Sequence, residues 1–395
     1  MKHISRRGFL RKGIAGAGAL AVSPVFAASP IAADDRNIIY RTLGKTGLKI
    51  PVVSFGVMRS DNPNLCRAAH DKGMRLFDTA NGYLGGNSET MLGNLFKDYP
   101  RDSFVISTKV KPGTGRNGEP TNDTTPEKFL ELFNISMSRL KLDYVDILYV
   151  HDVTNPELFD YKPIIDTVKK LKKDGRIKFI GFSTHRNEAE VIDAAANYDV
   201  WDVILTQYNY RLSYLSELQS AIKKAAGAGI GIVAMKTMAG GGFLDRERKQ
   251  RMNTTAALKW VLSNPDIHTT IPGMTNFDEL EENAKVMEDL TLTDQEKNDL
   301  VASNALPGLL CSGCKKCLEE CPKNIDIPYL MRAYMYAYGY ANPAMAKDLL
   351  NQMEIKNNPC SDCNVCTVEC TRNFAVKDKI SDITRLVDIP YDFLA

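Results

Sequence analysis

The sequence predicts an α/β protein, a (β/α)8 barrel followed by a small, mainly helical domain rich in cysteine. Three observations carry this. Between Val52 and Ile271, short apolar runs alternate with helical patterns. Several of these runs stop on a single ionisable residue, as parallel strands do when their carboxyl ends share one site. Of nine cysteines, eight fall between Cys311 and Cys370, a clustering that argues for metal and not for dispersed disulfides. An open doubly wound sheet would want a glycine-rich turn after its first strand, and Gly56-Val57-Met58-Arg59 supplies none.

Bulk properties exclude some functions. The 395 residues carry a net charge of +2, which gives no electrostatic footprint for nucleic acid. No segment after the N-terminus is long and apolar enough to span a bilayer, so no transmembrane span is expected in the mature protein. Residues 1–28 read as a targeting segment. Ser5-Arg6-Arg7-Gly8-Phe9-Leu10-Arg11 resembles the twin-arginine export motif, and Gly13–Phe26 is weakly apolar. Cleavage is expected after Ala27 or Ala28. The motif implies recognition by the twin-arginine translocase and a periplasmic location. Gly16-Ala17-Gly18-Ala19-Leu20-Ala21 mimics a dinucleotide fingerprint, but no strand precedes it.

Ala28–Asn37 is a polar linker. Ile38–Tyr40 and Leu48–Pro51 flank the turn Gly44-Lys45-Thr46-Gly47, a hairpin suited to plug a barrel floor. Strands are expected at Val52–Val57, Met74–Asp78, Phe104–Lys109, Val145–Val150, Lys178–Phe182, Val203–Gln207, Gly231–Met235 and Thr269–Ile271. Helices fall between them at Pro126–Lys141, Pro156–Lys173 and Leu212–Ala226, the last two closed by Gly175 and Gly227 as left-handed caps. Gly113–Thr125, rich in Gly, Asn and Thr, is expected to line the barrel mouth and to move. Cys66 sits beside Ala68 and Ala69 on a helix and reads as a buried core thiol.

The second strand ends on Asp78, and Tyr83 follows in its loop. Lys109 ends the third strand, and His151 follows the fourth. These four suit proton donation to a carbonyl. A free tyrosine has a pKa of about 10 and is a poor acid at neutral pH. A nearby lysine cation makes it more acidic, an aspartate pins that lysine, and a histidine orients the carbonyl oxygen. Asp78, Tyr83, Lys109 and His151, in that order on those strands, resemble the catalytic tetrad of the aldo-keto reductases, and the resemblance runs from about Ile38 to Leu290.

The resemblance implies an oxidoreductase that interconverts a carbonyl and an alcohol, with NAD(P)(H) as cofactor and a small carbonyl or alcohol as substrate. It places Ser183 and Gln207 on the carboxamide and Tyr208 on the nicotinamide ring, and gives His185 no role. Met235-Lys236 and Ala239-Gly240-Gly241-Gly242-Phe243-Leu244 form a loop whose amides can approach a pyrophosphate. Gly273 and Thr275 are implied near phosphate, Glu282 and Asn283 near adenine. Gly273 and Glu279 stand where members that bind a 2′-phosphate have lysine and arginine. An anionic Glu279 would repel that phosphate.

From Leu306-Pro307-Gly308 onward, residues 306–395 follow the barrel of residues 38–305. Cys311, Cys314, Cys317 and Cys321 form one C-x2-C-x2-C-x3-C run, followed by Pro322. Cys360, Cys363, Cys366 and Cys370 form a second, followed by Thr371. The spacing matches bacterial ferredoxins with two [4Fe–4S] clusters, in which the last cysteine of each run serves the other cluster. That implies Cys311, Cys314, Cys317 and Cys370 on one cluster and Cys360, Cys363, Cys366 and Cys321 on the other. Structural zinc has no use for two matching runs. Between the runs, Ile327–Met353 is helical and rich in Tyr and Met, its tyrosines read as packing. A redox partner protein fits the clusters. The competing reading is an electron-transfer protein whose barrel serves for partner docking or dinucleotide sensing. Replacing Tyr83 by Phe separates the two.

Overall fold

In a computed structural model of the chain, residues 37–240, 252–304 and 311–394 are described. The export motif at Ser5–Arg11, Gly241–Leu244 of the glycine-rich loop, and Leu306-Pro307-Gly308 lie outside them.

Runs such as Val105–Val110 and Val145–Val150 are buried at every position. Strands covered on both faces require continuous apolar or internally paired residues. The strands β3 Phe55–Gly56, β4 Leu76–Asp78, β5 Val105–Val110, β6 Val145–Val150, β7 Ile177–Thr184, β8 Val203–Gln207, β9 Gly231–Met235 and β10 Thr269–Thr270 pair in sequence order, all parallel. The ring is completed between first and last strands: Ser54 N donates to Thr270 O at 2.8 Å and Thr270 N to Val52 O at 2.9 Å. Fold and strand order are those expected. Some edges are shorter, because the first and last strands have few ladder partners at the seam.

The preceding hairpin, β1 Tyr40–Thr42 and β2 Lys49–Pro51, closes the floor. Its Leu43 and Ile50 are fully buried among the inward side chains Leu76, Val105, Ile147, Val203, Leu205 and Val233. Each such burial contributes roughly 1.5–3 kcal/mol. A Cβ at Gly231 would meet Leu43 Cγ at 2.6 Å, so only glycine lets the plug seat. The outer layer of helices packs on the opposite face of the sheet. Pro126–Leu140 starts where Thr125 caps Lys128 N and Pro126 takes a first-turn position. Gly175 takes the expected left-handed turn, but Gly227 does not: it stays in the helix Leu215–Gly227, and Gly229 makes the reversal at φ +81. That helix runs on, so the chain reverses later, where Lys45 N donates to Gly229 O. Pro156–Lys173 is two pieces, a short turn Pro156–Phe159 and a helix Lys162–Lys173, divided at Asp160 and Tyr161.

The C-terminal region is helical: Lys316–Glu320, Ile327–Tyr334, Pro343–Gln352 and Val376–Ile383. Met335–Gly339 is a π-helical turn, a geometry often kept at functional sites. Its core of Leu330, Met331, Leu350 and Ile380 extends into Ala239 and Met252 of the barrel rim, so the two parts share one apolar interior. Ser213 N donates to Ser312 O at 3.0 Å, Arg372 Nη2 to Arg211 O at 3.0 Å, and Arg186 pairs with Asp326 at 2.9 Å. No helix among the described residues is long and apolar enough to cross a membrane.

Candidate active site

Strand register brings the chemistry together. Asp78 lies across from Ser107, and Lys109 across from Tyr149. Lys109 Nζ donates to Asp78 Oδ2, and to Thr79 O at 2.7 Å, while Ser107 Oγ donates to Asp78 Oδ1 at 2.7 Å. Both charged groups are almost wholly buried. Burial raises the carboxyl and lowers the ammonium, and the direct bond between them opposes both shifts. The ammonium also sits 4.7 Å from the centre of the Tyr83 ring, and that ring meets His151 edge to face at 6.2 Å.

Tyr83 follows a loop that is held rigidly. Asn81 N donates to Lys109 O, and Asn81 Nδ2 to Leu132 O and Ser136 Oγ, all at 3.0 Å. Arg139 Nη1 donates to Asn81 O at 2.7 Å and to Glu89, whose other oxygen accepts from Thr108. After Tyr83, Leu84, Gly85 and Gly86 all have positive φ, and a Cβ at Gly86 would meet the Arg139 guanidinium within 2.5 Å. Asn81, Glu89 and Arg139 carry no motif in the sequence. Their joint role exists only once helix Pro126–Leu140 packs beside this loop.

The acidifying effect expected of Lys109 does not prevail in the resting site. Burial first, then the Asp78 and Asp152 carboxylates, push the phenol well above its ordinary value. Asp78 offsets the lysine charge, so the resting phenol keeps its proton. Burial and the Lys109 charge hold His151 neutral, its pKa down to about 3.

These residues open into a cavity of about 1070 Å³. It runs from Tyr83, Lys109 and His151 to Gly273, Thr275, Glu282 and Asn283, so these expected cofactor positions share one hollow with the tetrad. Asn283 is buried, and among the described residues its Nδ2 has no hydrogen-bond partner. Glu279 accepts from Thr275 N at 2.7 Å and Thr275 Oγ1 at 3.0 Å.

Ser183, Gln207 and Tyr208 are placed otherwise than expected, and none lines the cavity. Ser183 Oγ accepts from Asp152 N at 3.0 Å. Gln207 Nε2 donates to Glu188 Oε1 and Tyr214 OH, both at 2.5 Å. Tyr208 stacks on Trp260 at 5.3 Å, and its hydroxyl accepts from Gln219 and Asn264. It therefore faces the outer helices, because the strand alternation turns it away from the mouth. Met235 and Lys236, from the end of β9, reach the cavity instead. Nor does Gly113–Thr125 line it: Thr121 and Thr124 hydroxyls fold this loop onto Gly113 O, and Tyr161 OH ties it down through Thr124 O.

The C-terminal region roofs the hollow. Arg332, Met335, Tyr336, Tyr340, Leu349 and Gln352 all line it. The tyrosines read as packing thus include two that face the site. His185, given no role, lies 6.3 Å from His151 and also lines it. Tyrosine richness was the one sequence trace of the roof.

The cysteines gather crosswise. Burial and the neighbouring Cys311, Cys314 and Cys370 push the Cys317 thiol up to about 12, while burial with Cys363, Cys366 and Cys321 raises Cys360. Among the described residues no three potential ligands converge on a single ion. The first run rests on the barrel: a Cβ at Gly313 would meet the Tyr214 ring at 2.5 Å. Cys66 is fully buried in the barrel's outer core, and burial pushes its thiol up to about 12.

Known proteins resemble both parts. Residues 56–256 match the aldo/keto reductase family, and residues 310–375 match a 4Fe-4S dicluster domain. L-galactose dehydrogenase of Arabidopsis thaliana is 28% identical over 308 residues, 68% of this chain and 94% of that one. NADH-specific methylglyoxal reductase of Escherichia coli is 34% identical over 153 residues, 36% of this chain and 46% of that one. A solved aldo-keto reductase from Bacillus halodurans in its holo form superposes with a TM-score of 0.55 at 23% identity, covering 67% of this chain and 96% of that one. The family match over residues 56–256 covers more than half of the sequence and falls on the eight-stranded barrel that holds the buried lysine–aspartate pair: the chain belongs to the aldo/keto reductase family and is an oxidoreductase that carries a 4Fe-4S dicluster domain.

Proposed function

We propose that this protein is an exported, NAD(P)(H)-dependent reductase or dehydrogenase that interconverts a small carbonyl compound and its alcohol, with two [4Fe–4S] clusters beside the site. The observation that carries the reading is the single hollow joining Tyr83 and His151 to Gly273, Thr275, Glu282 and Asn283. The residues fit a dinucleotide: the hollow encloses about 1070 Å³, and Asn283, whose Nδ2 has no hydrogen-bond partner among the described residues, lines it with Thr275, Glu279 and Glu282. Gly273 and Thr275 would hold phosphate, Glu282 and Asn283 the base. The bound nicotinamide would supply or accept a hydride at the carbonyl carbon.

The chain's own residues do the rest. Tyr83 keeps its proton until the carbonyl oxygen becomes basic enough to take it. Neutral His151 can donate an N–H to the same oxygen without adding charge. Lys109, fixed by Asp78 and Thr79 O, then stabilises the phenolate left on Tyr83. In the alcohol direction each proton moves the other way.

The crossed thiol quartets support two clusters, Cys311, Cys314, Cys317 and Cys370 on one and Cys360, Cys363, Cys366 and Cys321 on the other. Each would supply one-electron chemistry, and a partner protein would exchange those electrons. Export rests on Ser5–Arg11 and agrees with a route that carries folded, cofactor-loaded proteins. The test is oxidation of NADH and NADPH by anaerobically purified protein against a panel of aldehydes, ketones and oxo acids. Tyr83→Phe should lose about a hundredfold or more. Equal turnover by the variant would overturn the assignment. Fractionation of cells bearing a twin-lysine version of the motif tests export.

A further inference from the structure

The wall beside Tyr83 and His151 holds positive charge that its carboxylates do not use up. Lys109 is closed off by Asp78. Beyond His151, Lys111 Nζ donates to Asp152 Oδ2 at 3.1 Å and Gln352 Oε1 at 2.9 Å. Arg332 descends from the roof. Its Nη1 donates to His185 O at 3.2 Å and lies 3.8 Å from Asp152 Oδ1, while its buried Nε has no hydrogen-bond partner among the described residues. Lys236 lines the same hollow, on backbone at φ +54. Among the described residues its ammonium meets only the face of the Tyr336 ring, 5.7 Å away. The other nearby carboxylate, Glu188, is engaged by Gln207 and Tyr214. His185 Nδ1 is likewise buried and has no hydrogen-bond partner among the described residues. Three cations thus face two carboxylates; among the described residues the buried His185 Nδ1 and Arg332 Nε have no hydrogen-bond partner, and neither has Asp152 Oδ1, which meets Arg332 only at ion-pair distance. Lys236 is half-buried, and a partly desolvated cation without a counter-charge carries a cost that an arriving anion removes.

We propose that Lys236, Arg332 and His185 form a subsite for an anionic oxygen group, so that the tetrad is directed at small carbonyl compounds carrying a carboxylate close to the reacting carbon. The proposal rests on the carbonyl–alcohol reading above and names its substrate class. The spacing supports proximity: the His151 and His185 rings are 6.3 Å apart, so a carbonyl at one and a carboxylate at the other fit a single small oxo acid. Burial, and then the Arg332 charge, lower the Lys236 ammonium to about 7, while Glu188 and Asp152 act the other way. A dinucleotide pyrophosphate offers the same anionic oxygens, and the experiment separates the two sources.

Anaerobic holoprotein is assayed with pyruvate and its neutral amide, pyruvamide, for wild type, Lys236→Met and Lys236→Arg. Dissociation constants for NADH and NADPH are measured alongside. The wild type should favour pyruvate, and the ratio of kcat/KM for acid over amide should fall about thirtyfold or more in Lys236→Met. The loss should appear in KM, and Lys236→Arg should restore most of it. An unchanged ratio with weaker binding of both dinucleotides assigns Lys236 to the pyrophosphate and overturns the proposal. Oxamate, a carboxylate that cannot be reduced, is titrated calorimetrically into the same proteins. Saturable binding that weakens at least tenfold in Lys236→Met supports the subsite, and no binding to wild type overturns it. Reduction of pyruvamide with no preference for pyruvate sinks the subsite and spares the carbonyl reading. Reduction of neither compound counts against that reading, and oxamate then decides the subsite by itself.

Discussion

Replacing Asp78 by Asn tests whether Lys109 and Asp78 act as one buried unit. Their side chains are 1% and 4% exposed. Without the carboxylate, Lys109 keeps only Thr79 O and a neutral amide as partners. Leaving a buried charge unpaired costs about 3–5 kcal/mol, and Lys109→Met should cost a similar amount by stranding Asp78 with Ser107 alone. In the double variant no charge is left behind, so its loss should fall short of the summed singles by about 2–3 kcal/mol. Urea unfolding followed by tryptophan fluorescence reads this directly, since Trp201 is fully buried and Trp260 stacks on Tyr208, both in the barrel. The double variant should be folded and inactive. Single losses that simply add, or that stay below about 1 kcal/mol, would show that the pair is not coupled in a dry interior, and the account of the tetrad would fail with it.

Stability should fall as pH drops below about 6.5. Burial lowers His70, His151, His185 and His268, so the unfolded chain binds protons that the folded chain refuses. For His151 the window runs from 6.5 down to about 3, and His151→Gln should flatten part of the slope in a pH series of unfolding curves. Gly86→Ala should cost about 1–3 kcal/mol, because its Cβ would displace the Arg139 guanidinium, and carbonyl turnover should drop as the Tyr83 loop loosens. NADH should bind more tightly than NADPH, and Glu279→Gln should narrow the gap; direct titration of both dinucleotides would expose a misplaced Glu279 by showing no change. Protein purified without oxygen should hold about eight irons per chain. Cys370→Ser and Cys360→Ser should each disturb a different cluster in EPR spectra, and identical spectra would refute the crossed ligand sets.

Much was legible from order and spacing alone. A strand declares itself by its own apolar residues, so the eight-strand ring followed from Val105–Val110, Val145–Val150 and their like. Residues that end those strands share a rim by topology, which is why Asp78, Lys109 and His151 could be grouped in advance. The two cysteine runs are local patterns too. What the sequence could not disclose depends on which way a side chain turns and on what docks from far along the chain. Tyr208 sits at the end of its strand as expected, yet strand alternation and a waiting Trp260 send it outward. Arg332, Tyr336 and Tyr340 reach the site only because the C-terminal helices lie across the barrel mouth, a contact between segments nearly two hundred residues or more from the tetrad. The sequence by itself determined the barrel, the tetrad and the thiol runs, since each is written in neighbouring residues. Only the tertiary structure decided that the dicluster domain roofs the cavity and lends it charge, because that placement comes from packing between surfaces no local pattern encodes.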